Sequence, residues 1–226
     1  MDTPRLVEVR QHLLKKNDLH ARALRDRFRD AGVFVVSLVS SPGAGKTAFL
    51  QQTLTELAPQ HRVAALVGDL ATENDAVRLA RSGASVKQIV TGTVCHLEAD
   101  MVDRAVAEWQ LADLDLLFIE NVGNLVCPSS YDLGEALRLV LLSVTEGEDK
   151  PLKYPTIFNT ADVAIITKID MTEAADCDLA TLRENIQRVR PGMPIFEISS
   201  KSGEGMREWL LFVTARARES SEHALS

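Results

Sequence analysis

The sequence predicts an α/β fold: a mostly parallel sheet with helices on both faces, preceded by an N-terminal helix. Three observations predict it. From Gly32 onward, short apolar runs alternate with stretches of helical periodicity, the pattern of strand–helix–strand units. Most of the runs are continuously apolar, as strands covered on both faces require. One of them, VFVVSLV, passes straight into the glycine-containing loop SSPGAGKT and then into AFLQQTLTEL, a good helix former.

The strands are expected at residues 33–39, 63–67, 86–90, 114–119, 137–144, 163–167 and 195–198. Helical periodicity falls at 46–57, 73–81, 98–109, 179–189 and 206–217. Ahead of the sheet, residues 4–30 read as a charged helix. Leu6, Val9, Leu13, Leu24 and Phe28 recur at helical spacing among Arg, Lys and Asp. So narrow an apolar stripe must lie on something. It either packs on its own domain, which is the expectation, or serves as a partner-facing arm. The chain therefore divides into an N-terminal helical arm (1–30), one α/β domain (31–218) and a polar tail expected to fray (219–226). Neither internal repeats nor low-complexity linkers interrupt it.

Composition narrows the function classes. A net charge of −7 and a pI near 5.3, with no Lys/Arg cluster, argue against a nucleic-acid partner. No apolar run reaches the roughly 18 residues of a membrane span, and the start MDTPRLVEVRQ lacks the apolar core of a secretory signal. A cytoplasmic protein is expected, with no membrane partner. Three cysteines, Cys95, Cys127 and Cys177, do not make a disulfide framework and should be reduced thiols.

The strand–loop–helix at residues 40–47 carries the strongest chemistry. Gly43 and Gly45 allow backbone N–H groups to turn onto phosphate oxygens without Cβ interference. The helix beginning near Lys46 points its positive end the same way. Gly43, Ala44, Gly45, Lys46, Thr47 and Ala48 are thus expected to hold a nucleoside triphosphate. Lys46 would reach the β and γ phosphates and the Thr47 hydroxyl would ligate Mg²⁺. Ser40 stands where the P-loop pattern has its first glycine, but the flanking strand and helix make this a P-loop NTPase sheet.

The C-terminal half points to the base. The strand ending in Thr167-Lys168-Ile169-Asp170 resembles the N-K-x-D motif of GTPases. A carboxylate at Asp170 can accept from both N1–H and the 2-amino group of guanine, a donor pair adenine lacks. The stem of Lys168 can lie over the base. Thr167 replaces the usual Asn, which puts one supporting contact in question. Ser199-Ser200-Lys201 follows the next strand as S-A-K does in GTPases, so Ser200 and Lys201 are expected beside the base. Two acidic groups end strands next to the loop, Asp69 in GDLATENDA and Glu120 in LLFIENVGN. One should hold Mg²⁺ and the other orient the attacking water. Asp75 reads as a helix cap, and Gly123 as a possible γ-phosphate-sensing amide.

A second site is suggested by Cys95-His96, ahead of a helix, and Cys127-Pro128, just after ENVGN. Thiolate plus imidazole suits Zn²⁺ or Ni²⁺ rather than Mg²⁺. Amide groups at the helix entry would lower the Cys95 thiol pKa. Three ligands are one short of a closed tetrahedral site, and a two-fold dimer would supply the rest. The alternative is that all three are packing residues. Cys177 reads as incidental.

SSPGAGKT, GDLATENDA, TGTVCHLEADM, ENVGNLVCP, LKYP, TKID and SSKSGEGM occur in that order across residues 40–206. Together they resemble the HypB family, GTPases that assist nickel insertion into [NiFe] hydrogenase. The related urease accessory family UreG carries a Cys-Pro-His motif that is absent here. The resemblance implies a SIMIBI-type P-loop GTPase (GTP to GDP and phosphate) that forms a homodimer on GTP. It implies a Zn²⁺ or Ni²⁺ site at the dimer interface, on Cys95, His96 and Cys127. Lys153 of the K-Y-P motif would reach the partner subunit's phosphates as a positive charge supplied in trans. Expected partners are a nickel-delivery accessory protein and the hydrogenase large subunit. Residues 1–40 hold no Cys and only His12 and His20, so tight nickel storage is not expected. Two rivals are a P-loop small-molecule kinase, against which TKID and SSK argue, and a metal-dependent scaffold with vestigial turnover.

Overall fold

The computed structural model describes residues 3–69 and 74–224, and side chains within 13–69 and 75–222. Residues 70–73 of GDLATENDA, and the Leu6, Val9 and His12 side chains, lie outside the described residues. Among the described residues seven strands form one sheet: β1 (Phe34–Ser40), β2 (Val63–Asp69), β3 (Ser85–Val90), β4 (Leu116–Glu120), β5 (Leu137–Ser143), β6 (Val163–Thr167) and β7 (Ile195–Ile198). Their order is β3-β2-β4-β1-β5-β6-β7, and every pairing is parallel. The helices are α1 (Thr3–Asp30), α2 (Lys46–Leu57), α3 (Asn74–Ala80), α4 (Ala99–Val106), α5 (Lys150–Lys153), α6 (Pro155–Thr160), α7 (Leu179–Val189) and α8 (Met206–Ala224).

The strands alternate faces residue by residue, and this alternation builds the core. Phe34, Val36, Leu38, Phe118, Leu139 and Ile165 pack with Phe49 and Leu50 of α2 and Trp209 of α8. The opposite face divides in two. Ala64, Leu66, Leu117 and Ile119 meet Leu24 and Phe28 of α1 and Val102 of α4. Val140, Leu142, Ala164 and Ile166 meet Ile157 and Phe158 of α6 and Leu182 and Ile186 of α7. Between these two clusters runs a polar seam. Ser37 of β1 donates to Glu135 Oε1 at 3.0 Å, and Arg138 Nε donates to the same oxygen at 2.6 Å. A buried ion pair is tolerated there because Ser37, the Leu133 N–H and the Tyr131 carbonyl fill its remaining hydrogen bonds.

The short helices α5 and α6 are unexpected, and four expected segments differ. β3 is partly exposed rather than buried on both faces, since it is an edge strand; its Val90 is 65% exposed. β4 begins at Leu116 because Asp115 is turned aside, accepting from the Arg62 backbone N–H and guanidinium. α4 stops at Val106, where the chain leaves the helix in a turn closed by Trp109 N to Val106 O at 3.0 Å. The tail expected to fray instead continues α8 to Ala224, helped by an Arg216–Glu219 pair one turn apart at 3.2 Å.

α1 packs on its own domain, as expected, but with a shifted stripe. Leu13 is 53% exposed. Among its described side chains the buried ones are Asn17, Ala21, Leu24 and Phe28, spaced four, three and four apart. Arg25 donates to both Asp132 oxygens at 2.6 and 2.7 Å, and Arg27 pairs with Asp103 of α4 at 2.6 Å.

The turn after β7 yields a stability test. Gly203 and Gly205 both have positive φ, at +84° and +73°. A Cβ on Gly203 would meet open space, whereas one on Gly205 would drive into the Glu197 carbonyl oxygen. Gly203→Ala is expected to cost about 1–2 kcal/mol. Gly205→Ala should cost about 3 kcal/mol or more. Urea midpoints check this; equal losses would mean that the Gly205 turn relaxes freely.

Candidate nucleotide and metal sites

The loop after β1 wraps the N-terminus of α2. Gly43 and Gly45 take φ of 77° and 86°, conformations that L side chains rarely adopt. Ser40, in place of a glycine, is fully buried and spends its hydroxyl on the Ser41 carbonyl at 2.8 Å. The loop lines a cleft of about 440 Å³ with Ala48, Asp69, Asp75, Arg78, Glu120 and Gly123. Gly123 sits against the loop so closely that a Cβ would lie 3.1 Å from Pro42 Cα.

Glu120 is the electrostatic centre of the cleft. The parallel register places it opposite Leu38 of β1, two residues before the loop begins. It is 2% exposed, accepts from Thr47 Oγ1 at 2.7 Å, and lies 3.4 Å from Lys46 Nζ. Burial pushes its carboxyl pKa up, opposed by Lys46 and by the Thr47 hydroxyl. Its second oxygen, Oε2, is buried and has no hydrogen-bond partner among the described residues. An unsatisfied buried carboxylate oxygen beside a threonine hydroxyl is a donor set that fits Mg²⁺. Asp69 ends β2 on the wall of the same cleft.

On the far side of the loop, Thr167 and Lys168 cross over Gly45. Thr167 Oγ1 donates to the Ala44 carbonyl at 2.5 Å, and Lys168 Nζ donates to the Gly43 carbonyl at 2.7 Å. Thr167 thus holds the loop through a hydroxyl where the N-K-x-D pattern has an amide. Lys168 takes a left-handed conformation, φ 59°, which is costly for a non-glycine residue and lays its stem along the loop. Asp170 is held through Oδ1 by the hydroxyl of Ser199 at 2.7 Å. The serine that reaches it is the buried Ser199, not Ser200; Lys201 is exposed.

The second cluster also assembles. One ligand atom from each of Cys95, His96 and Cys127 lies within 4.8 Å of the others. The two sulfurs are 3.0 Å apart. Two thiolates on one tetrahedral metal sit about 3.7 Å apart, so the pair need open by less than an ångström. His96 is buried against Tyr131, ring centroids 3.9 Å apart, and neither ring nitrogen makes a hydrogen bond among the described residues. Burial lowers the imidazole pKa, partly countered by Glu98, whose Oε1 is 3.5 Å from Nε2. Two soft sulfurs and an orphaned imidazole suit a zinc- or nickel-like ion. The Cys95 thiol pKa is raised, not lowered as expected. Its hydrogen bond with Cys127 is the main cause, with burial second, and α4 starts four residues too late to help.

Three side chains unnoticed in the sequence join these parts. Asn121, next after Glu120, is 2% exposed and accepts the Leu97 N–H at 2.9 Å. Asn124 donates to the Cys95 carbonyl at 3.3 Å and accepts the Val126 N–H at 2.9 Å. Glu146 holds the Ser41 hydroxyl of the loop and lies 3.1 Å from Lys150, one turn before Lys153. Lys153 itself stands apart from the cleft, exposed and paired with Asp149 at 2.7 Å. Cys177 is far along the chain from these ligands, its thiol pKa raised by burial and by Glu148.

An all-parallel sheet with a glycine loop between its central strand and a helix defines a P-loop nucleotide-binding protein. The profile of the CobW/HypB/UreG nucleotide-binding domain matches residues 34–197. The chain is 47% identical over 210 residues to the hydrogenase maturation factor HypB of Azotobacter chroococcum mcd 1, covering 92% of this chain and 68% of that relative. It is 43% identical over 217 residues to the hydrogenase/urease maturation factor HypB of Helicobacter pylori, covering 94% and 89%. The crystal structure of Helicobacter pylori HypB in complex with nickel superposes with a TM-score of 0.85 at 44% identity, over 91% of this chain and 97% of that one. The chain belongs to the HypB family.

Thr167 offers a direct test of how the loop is held. Thr167→Val keeps the shape but leaves the Ala44 carbonyl without its donor. Nucleotide affinity should fall about 5- to 30-fold, matching about 1–2 kcal/mol for a buried hydrogen bond. Thr167→Asn should stay closer to wild type. Wild-type affinity in Thr167→Val would show that the hydroxyl does not shape the loop.

Proposed function

We propose that this chain is a cytoplasmic GTPase that carries nickel for hydrogenase maturation, taking the ion at Cys95, His96 and Cys127 and yielding it in step with GTP hydrolysis. The observation that carries this reading is the hydrogen bond from Leu97 N to Asn121. It joins the segment bearing Cys95 and His96 to the strand end bearing Glu120. Two HypB relatives are named as hydrogenase or hydrogenase/urease maturation factors, and the superposed one was crystallised with nickel.

In this mechanism Gly43 to Ala48 bind the triphosphate, and Lys46 neutralises the β and γ phosphates. Asp170, steadied by Ser199, takes the guanine edge, and Lys168 moves from the Gly43 carbonyl to cover the base. Thr47 and Glu120 would hold Mg²⁺, which supplies charge to the phosphate chain. Asp69 orients the water that attacks the γ phosphorus as the bond to the β-phosphate oxygen breaks. Gly123, against Pro42, senses whether the γ phosphate is present. When phosphate leaves, the 120–124 segment shifts, and Asn121 and Asn124 pass the shift to Cys95 and Cys127.

Three ligands from one subunit leave the site open. A homodimer completes it with the second copy, and brings Lys153 from its exposed position to the partner subunit's phosphates. The 1–30 arm, the GTPase domain and the partners expected from the family fit this scheme, with the nickel donor and the hydrogenase large subunit at the two ends of the transfer.

Nickel titration of the full chain with GDP and with a non-hydrolysable GTP analogue tests the proposal. The two affinities should differ by about 5- to 150-fold, the usual span of a coupling free energy, and Cys127→Ala should lose the site. Equal affinities in both nucleotide states would remove the switch.

A further inference from the structure

Among the described side chains of α1, Asn17 is the one polar position in the buried stripe, between exposed Leu13 and buried Ala21. Asparagine is a poor helix former, and its amide is costly to bury unless every group is satisfied. Here both ends are used, and neither serves α1 itself. Asn17 Oδ1 accepts the Ala99 N–H at 2.9 Å, and Asn17 Nδ2 donates to the Asp132 carbonyl at 2.8 Å. Ala99 is the first residue of α4, whose own N-cap, Glu98, makes no side-chain capping bond. Asn17 therefore caps α4 from another helix. Ala99 lies three residues after His96, and Asp132 five residues after Cys127. One amide thus spans the two segments that carry the thiol and imidazole ligands.

The rest of α1 makes this a fixed ruler. Arg25 clasps both oxygens of Asp132. Gly134, at φ 80°, lies so close to α1 that a Cβ would fall 3.0 Å from the Ala21 carbonyl. Arg27 ties the same helix to Asp103 of α4. α1 is thus anchored to both ligand-bearing segments, through Asn17, Arg25 and Arg27.

We infer that Asn17 is a positioning residue for the metal site, setting the separation of Cys127 from Cys95 and His96 by bridging Asp132 and Ala99. Removing it loosens both segments, so nickel binds more weakly and the nickel–thiolate geometry becomes heterogeneous. Residues of this kind, one bond removed from the ligands, commonly change metal affinity 10- to 100-fold. The inference rests on nickel occupying the Cys95–His96–Cys127 cluster.

The test uses the full chain in its GDP form. Nickel affinity is measured by chelator competition, and the nickel–thiolate absorption band is recorded, for wild type, Asn17→Ala, Asn17→Asp and Cys127→Ala. Asn17→Asp is nearly isosteric and keeps the acceptor for Ala99 while losing the donor to Asp132, so it serves if the alanine variant fails to fold. Gly192→Ala, in the turn between α7 and β7 where φ is +80° and a Cβ would meet open space, controls for lost stability alone. The expected result is at least about tenfold weaker nickel binding and a shifted band in the Asn17 variants, with GTP affinity unchanged and the Gly192→Ala control like wild type. Wild-type nickel affinity and band in the Asn17 variants, with binding lost in Cys127→Ala, would overturn the positioning role alone. Nickel weakened equally in Gly192→Ala would also overturn it, since stability would then be the cause. Unchanged binding in Cys127→Ala would sink the cluster assignment, and the inference with it.

Discussion

A carboxylate kept out of water is the constraint around which this protein is arranged. Glu120 is buried at the end of β4, and such a group is tolerated only with compensating charge and hydrogen bonds. The parallel register of β1 and β4 delivers it beside the glycine loop, where Lys46 and Thr47 supply both. The compensation is incomplete, because Oε2 remains unpartnered among the described residues. An unfinished buried network is a poor choice for stability and a suitable one for a site whose last partners arrive with the ligand.

The same strand end governs the second site. β4 passes into Asn121, Val122, Gly123 and Asn124 within four residues of Glu120. Asn121 holds the Leu97 amide and Asn124 the Cys95 carbonyl, so the cysteine–histidine segment is bonded to side chains of the stretch that follows Glu120. On the outer side α1 braces the same two segments through Asn17 and Arg25. The cluster therefore lies between an inner contact to the Glu120 strand end and an outer contact to α1. In the proposed switch a small shift near the phosphate would change the ligand spacing, and the paired sulfurs at 3.0 Å are the coordinate it would alter.

Much of this was legible in the sequence because the chemistry is contiguous there. The glycine loop, the TKID strand end and the Cys-His dipeptide each occupy adjacent residues, and strands buried on both faces are recognisable from continuous apolar runs. What was not legible depends on contacts between distant segments. Ser199 rather than Ser200 supports Asp170, because the turn after β7 points the first hydroxyl inward. Asn17, Asn121 and Asn124 bond to backbone groups, which leave no spacing pattern to read. The Cys95 thiol was assigned the wrong direction because its neighbour in space, Cys127, outweighs a helix end four residues away. Leu13 belongs to the periodicity of α1 but extends beyond the surface that buries Ala21, Leu24 and Phe28.

The most direct measurement is the ratio of nickel affinities between the GDP and GTP-analogue states in Asn121→Ser, compared with wild type. If Asn121 carries the signal from Glu120 to the metal-binding segment, the variant still binds nickel and nucleotide but its ratio falls toward one, the value of two uncoupled sites, with only the Asn124 link to Cys95 left. A wild-type ratio in Asn121→Ser, with both ligands bound normally, would contradict the account.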